Sequence, residues 1–164
     1  EKFNYTYGET FKLPAPLILD NVKTVTGLDG QKMSKSYNNT IPLFADEKEL
    51  KRLVMSIKTD SKGVEEAKNP EECNVFALHK LFTPPAQLAE VKKRYVDGGI
   101  GYQEAKELLF NNMNTYLAPL RAKRAEFAQD PARVIQILKA GAEVARATAT
   151  RKMSAVRAKV GIDL

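Results

Sequence analysis

The sequence predicts a mainly α-helical protein, a helical bundle preceded by the last extended segments of an α/β domain. Three observations carry that class. From Asp46 onward, apolar residues recur at helical spacing almost to the end of the chain. Up to about Phe44 the chain is instead rich in β-formers, Pro and Gly. The extended segments there are too few to close a sheet of their own, so they read as the end of a larger α/β domain.

Taken in order, Phe11-Lys12-Leu13 and Leu17-Ile18-Leu19 are short extended segments around Pro14 and Pro16. Val22-Lys23-Thr24-Val25-Thr26 is a strand leading into the glycine loop Gly27-Leu28-Asp29-Gly30-Gln31. Asp46 is an N-cap with Glu49 three residues on, and Leu50, Leu53, Val54 and Ile57 follow on one helical face. Residues 59–72 are polar, carry Gly63 and Pro70, and read as an exposed connection. A short helix over residues 75–81 is stopped by Thr83-Pro84-Pro85. Leu88, Val91 and Tyr95 form the next stripe, closed by Gly98-Gly99.

Two long helices come last. Residues 102–129 place Ala105, Leu108, Leu109, Met113, Tyr116, Leu117 and Leu120 on one face, with a kink expected at Pro119. Asp130-Pro131 supplies an N-cap and a proline at the first helical position. Val134, Ile135, Leu138, Ala142, Ala145, Ala149, Met153, Val156 and Val160 continue the stripe to Gly161. All these stripes are expected to be core, with the Ala-rich stretch 140–149 letting a neighbouring helix approach closely. The expected domains are residues 1–45 and 46–164.

With 164 residues the chain can bury one sizeable core. Its 43% hydrophobic and 28% charged residues are ordinary for a soluble globular protein. No run approaches the ~18 apolar residues of a membrane span. The chain begins at Glu1, with no leader, and so reads as an excised piece. Cys73 is the only cysteine, which excludes an intrachain disulfide and a multi-cysteine zinc site and agrees with a cytoplasmic setting. His79 is the only histidine and lies in the apolar octad Val75-Phe76-Ala77-Leu78-His79-Lys80-Leu81-Phe82, where a core helix explains it better than a ligand or base. No metal site is expected. The net charge of +6 sits entirely in the last 46 residues, which hold ten Lys/Arg against four Asp/Glu.

The chemistry concentrates in Lys32-Met33-Ser34-Lys35-Ser36. Two ammonium groups three residues apart, with two hydroxyls and the loop amides, suit a polyanion such as a phosphate chain. Gly27 and Gly30 allow close backbone approach, so the segment reads as a mobile loop. The same composition also fits a solvated surface loop.

The pentapeptide is letter for letter the KMSKS signature of the class I aminoacyl-tRNA synthetases. Its context resembles the bacterial tryptophanyl-tRNA synthetases: Tyr5, Gly8-Glu9 and Phe11-Lys12-Leu13-Pro14 before it, Tyr37-Asn38-Asn39 after it, and Ile57-Lys58-Thr59-Asp60-Ser61 further on. The likeness is strong to about Ser61 and looser beyond. It implies that the extended segments close a Rossmann-type catalytic domain and that the helical domain lies on the anticodon side of the tRNA. It implies activation of tryptophan with ATP and Mg2+, transfer to tRNA(Trp), and a homodimeric full-length enzyme.

In that reaction a carboxylate attacks the α-phosphate and pyrophosphate leaves, so cations placed at the leaving group stabilise the transition state. By the resemblance, Lys32 and Lys35 take that role, Ser34 and Ser36 donate to the same oxygens, and Met33 packs near the adenine or the loop base. Val25, entering the loop, is counted with the nucleotide site. The His-Ile-Gly-His signature and the indole pocket of the family have no counterpart here, so the isolated chain is expected to be inactive.

Arg133, Lys139, Arg146, Arg151, Lys152, Arg157 and Lys159 spread over roughly 40 Å of the last helix. Arg146, Arg151 and Arg157 are singled out as RNA contacts, against the alternative of a merely solvated face. Tyr95, Tyr102 and Tyr116 could stack on bases, but core-facing tyrosines usually pack. Two other readings stay open: a tyrosine-specific or other class I synthetase, and a non-catalytic helical tRNA-binding module.

Overall fold

The computed structural model describes residues 1–19 and 22–162. Its helices are α1 (Lys2–Tyr7), α2 (Glu47–Met55), α3 (Asn74–Phe82), α4 (Pro85–Asp97), α5 (Tyr102–Gln129) and α6 (Pro131–Val160). Among the described residues the only β pairing is one antiparallel bridge between Thr26 and Lys32. The strand that the sequence predicts at residues 22–26 therefore forms no more than that bridge, and the extended segments 11–13 and 17–19 pair with no strand among the described residues. A strand exists only within a ladder, and beyond that bridge these segments meet no partner. Leu17, Ile18 and Leu19 stay exposed, as Phe11 and Leu13 do.

Two compact units are found, residues 18–123 and residues 1–17 with 124–164. Val25, Leu28, Ile41 and Ala45 pack into the same core as the helices that come after them.

In the unit of residues 18–123 the local signals are realised. The Asp46 carboxylate accepts the Glu49 amide at 2.7 Å and starts α2, whose Leu50, Leu53 and Val54 are buried. Thr83 ends α3 before Pro84, and Pro85 opens α4 at a first-turn position. Val75, Phe76 and Leu78 of α3 meet Val91 and Tyr95 of α4 and Ala105, Leu109, Met113 and Leu117 of α5. Tyr116 and Leu120, expected on that face of α5, are exposed instead. Residues 59–72 form a mostly exposed connection, as expected, but Lys68 turns inward. Its ammonium donates to the carbonyls of Gly63 and Glu66, at 2.5 and 3.0 Å, and lies over the Tyr102 ring. A buried charge is tolerated there because carbonyl oxygens replace its water.

In the other unit, Asn4 ties α1 to the segment behind it, accepting the Thr10 and Phe11 amides and donating to the Phe11 carbonyl. The α6 helix starts at the Asp130 cap and ends at Gly161, which adopts the left-handed conformation. None of its residues is buried: Ile135, Leu138 and Val144 are 51%, 66% and 71% exposed. The stripe that periodicity assigns to the core is therefore covered only in part, at Val134, Val156 and Val160, because too little of this unit lies opposite it. Among the described residues no helix is long and apolar enough to cross a membrane.

Candidate functional site

The basic pentapeptide sits on a loop whose base is closed by main-chain hydrogen bonds. The Gly27 amide donates to Gln31 O (2.7 Å) and the Met33 amide to Val25 O (2.8 Å), flanking the Thr26–Lys32 bridge. Residues Lys35–Tyr37 make one 3-10 turn, after which Asn38 takes φ 52° and reverses the chain. Asn39 then points back into the loop. Its Oδ1 accepts the Ser34 amide (2.8 Å), and its Nδ2 donates to Asp29 Oδ1 (2.8 Å) and to Lys32 O (3.2 Å).

The Asn39 donation holds the Asp29 carboxyl below the usual carboxylate range, helped by the Gln31 amide and opposed by partial desolvation. Asp29 also accepts that Gln31 amide at 3.0 Å.

Within the pentapeptide the side chains divide by direction. Lys32 and Lys35 are exposed, and among the described residues neither ammonium has a hydrogen-bond or ion-pair partner. Ser34 and Ser36 share a hydrogen bond of 2.8 Å between their hydroxyls, which leaves one hydroxyl hydrogen of the pair to donate elsewhere. Met33 goes the other way. With Val25 it lines an apolar cavity of about 170 Å³ backed by Leu78 and Phe82 of α3 and Met113 and Leu117 of α5. Val25 thus supports the loop through its carbonyl and its side chain.

The loop is tied to the helices on its other side. The Lys58 amide donates to Leu28 O (2.8 Å), and Asn74, the first residue of α3, donates from its side chain to Lys58 O (2.8 Å). Gly30 lies against that asparagine, and a Cβ there would come within 2.8 Å of its Oδ1. A polar cleft of about 460 Å³ opens here, lined by Asp29, Gln31, Asp60, Cys73 and Tyr102 among others. The Tyr102 hydroxyl donates to Asp60 (2.7 Å) and lowers that carboxyl, while burial first, and then the same bond, raises the phenol. Tyr95 is buried against Phe76, with the Cys73 thiol 3.6 Å from its hydroxyl. Tyr95 is thus a packing residue, while Tyr102 is half-buried at the wall of the cleft.

His79 is fully buried. Its Nε2–H donates to Ala105 O (2.9 Å), so Nδ1 accepts the Thr83 hydroxyl (2.7 Å), and Asn112 donates to Thr83 in turn. Burial pushes the imidazole below its ordinary value. It is a core group that links α3 to α5, as the apolar octad predicts. Among the described residues no cluster of three His, Cys, Asp or Glu could hold a metal ion.

The basic residues of α6 are only partly available. Lys152 donates to Thr10 O (2.7 Å) and lies over the Phe11 ring, while Arg133 and Arg146 pair with Glu126 and Glu143. Arg151 and Arg157 are exposed.

Spacing alone does not mark Asn39 and Asp29 as the frame of the loop. The available signal is an Asn-Asn pair just past a turn, since asparagine tolerates the left-handed conformation and its amide can satisfy orphaned main-chain groups.

This arrangement is a loop with braced main chain and two solvent-facing ammoniums. The profile of the tRNA synthetases class I (W and Y) matches residues 1–118, and the chain belongs to that family. Within it the similarity is to the tryptophan enzymes. The chain is 42% identical to the tryptophan–tRNA ligase of Rhodopirellula baltica and 45% identical to that of Fusobacterium nucleatum, covering 98% of this chain and 50% of each relative. A crystal structure of the tryptophanyl-tRNA synthetase of Campylobacter jejuni, complexed with ADP and tryptophan, superposes with a TM-score of 0.79 at 41% identity, again over 98% of this chain and 50% of that one. The chain spans about half the length of the curated relatives it matches.

Proposed function

We propose that this chain is the C-terminal half of a tryptophan–tRNA ligase and carries the loop that stabilises departing pyrophosphate. The observation that carries the proposal is the pair Lys32 and Lys35, unpaired ammoniums on a loop fixed at its base. In the activation step the carboxylate of tryptophan attacks the α-phosphorus of ATP, the bond to the bridging oxygen breaks, and pyrophosphate leaves with the electron pair. The attacking carboxylate is already ionised at neutral pH, so no general base is required. Negative charge grows on the leaving group, and two mobile cations near it favour the transition state over the ground state. Ser34 and Ser36 contribute a hydroxyl donor to the same oxygens. Met33 supports the reaction from beneath, by seating the loop on α3 and α5.

Mg2+ enters with ATP, and no ligand for it is assigned to this chain. The names of the relatives support tryptophan and its tRNA as the remaining partners; a cytoplasmic homodimer of the full-length protein is part of the same proposal. Functionally, residues 1–45 belong with the catalytic domain of the whole protein, and residues 46–164 with the anticodon side of the tRNA. The chain by itself should not activate tryptophan, since the indole pocket is assigned to the half of the relatives that it does not span.

Tryptophan-dependent pyrophosphate exchange in the full-length protein tests the proposal. Lys32→Ala or Lys35→Ala should lower the rate by roughly 2–4 kcal/mol of transition-state stabilisation, the scale of a lost oxyanion donor. Exchange at the unmodified rate in both variants would remove the assigned roles.

A further inference from the structure

The two lysines owe their place to a side chain outside the pentapeptide. Asn39 is 3% exposed although it lies in a surface loop, and its amide is fully committed there. Its Oδ1 holds the Ser34 amide, its Nδ2 holds Lys32 O and Asp29, and its main-chain carbonyl accepts the Leu28 amide at 3.0 Å. One residue thus fixes the main chain at Lys32 and again just before Lys35. Gly27 completes the fit. Its φ is not positive, so its lack of a side chain is a matter of room rather than of conformation. A Cβ at Gly27 would overlap the Asn39 amide and come within 2.8 Å of its carbonyl oxygen.

We infer that Asn39, braced by Asp29 and given room by Gly27, is the positioning residue for Lys32 and Lys35; the inference rests on the phosphate role proposed above. A lysine side chain has four rotatable carbons, so the volume its ammonium samples is restricted only when its main chain is held. Met33 anchors one point of the loop on the helices, and one point leaves rotation about it open. Asn39 adds the second and third points, at Lys32 O and Ser34 N, one on each side of Met33.

The test uses pyrophosphate exchange in the full-length protein. Asn39→Ala is expected to lower kcat about 10- to 100-fold, the scale of a misplaced catalytic group, with the KM for tryptophan within about twofold. Because Asn39 acts through the lysines, adding Asn39→Ala to the Lys32→Ala/Lys35→Ala variant should cost less than about threefold more. Gly27→Ala, which keeps the asparagine but displaces it, should reproduce the kcat loss and serves where Asn39→Ala lowers helicity. Wild-type kcat in both Asn39→Ala and Gly27→Ala, or a loss that multiplies in full with that of the lysines, overturns the inference. A lysine double variant that exchanges at the wild-type rate is a separate result: it removes the phosphate role, and the positioning role with it.

Discussion

The helices α5 and α6 have nearly the same length, 28 and 30 residues, and both carry apolar residues at helical spacing. Yet α5 buries Ala105, Leu109, Phe110, Met113 and Leu117, while α6 buries nothing. The difference lies in what faces them. The unit of residues 18–123 sets α2, α3 and α4 around the first part of α5, whereas the unit that holds α6 has, among the described residues, only the six-residue α1 and the last six residues of α5 besides. Periodicity is a property of one helix, and burial is a property of two.

The widest separation between the two helices should appear in stability. Leu109→Ala removes a fully buried side chain and is expected to cost about 2–5 kcal/mol, the range for core leucines. Leu138→Ala acts at an exposed position and should stay within about 0.5 kcal/mol. Urea unfolding of both variants checks this. Equal losses would mean that α6 is covered in solution, and the contrast would then belong to association rather than to the fold.

A smaller effect separates the core by pH. His79 is buried and neutral, with its imidazole lowered from the ordinary value of 6.5 by burial. Below about pH 6.5 the unfolded chain takes up a proton that the native chain does not, so stability falls as pH drops from there toward the lowered native value. Urea midpoints at pH 7.5 and 5 should differ in that direction, and His79→Gln should flatten that part of the slope. A midpoint that rises toward pH 5 would contradict the neutral, buried assignment.

What the sequence made legible was local. The caps at Asp46 and Asp130 are satisfied by amides three residues away, and residue identity alone determines that. The pentapeptide was legible for the same reason, as a contiguous string. The strand at 22–26 was not, because a ladder requires partners that this stretch, beyond one bridge, does not meet. Nor was the frame of the loop, since Asn39 acts on Asp29 ten positions earlier and on Gly27 through space. Met33, expected near the adenine or the loop base, lines the cavity between the loop base and α3 and α5.

The smallest effect on stability, and the sharpest on function, concerns the exposed helix. If α6 meets tRNA phosphates, removing its arginines should leave helicity unchanged and make the salt dependence of binding shallower, because each phosphate contact releases counterions. Arg146 and Arg157 are eleven residues apart and fall within about 20° of one helix face, while Arg151 lies about 140° from Arg146, at 100° per residue. Arg151 lines an apolar groove with Val144 and Thr148, away from that face. It is therefore the arginine expected to be silent. Arg146 must first leave Glu143, an exposed pair worth at most about 0.5 kcal/mol, so that bond does not prevent an RNA contact. The triple variant should lose about two units of log–log salt slope, one each from Arg146 and Arg157. A slope lost at Arg151 instead would place the RNA on the groove side of α6. A slope unchanged in the triple variant would leave this face solvated and move the contact off α6 altogether.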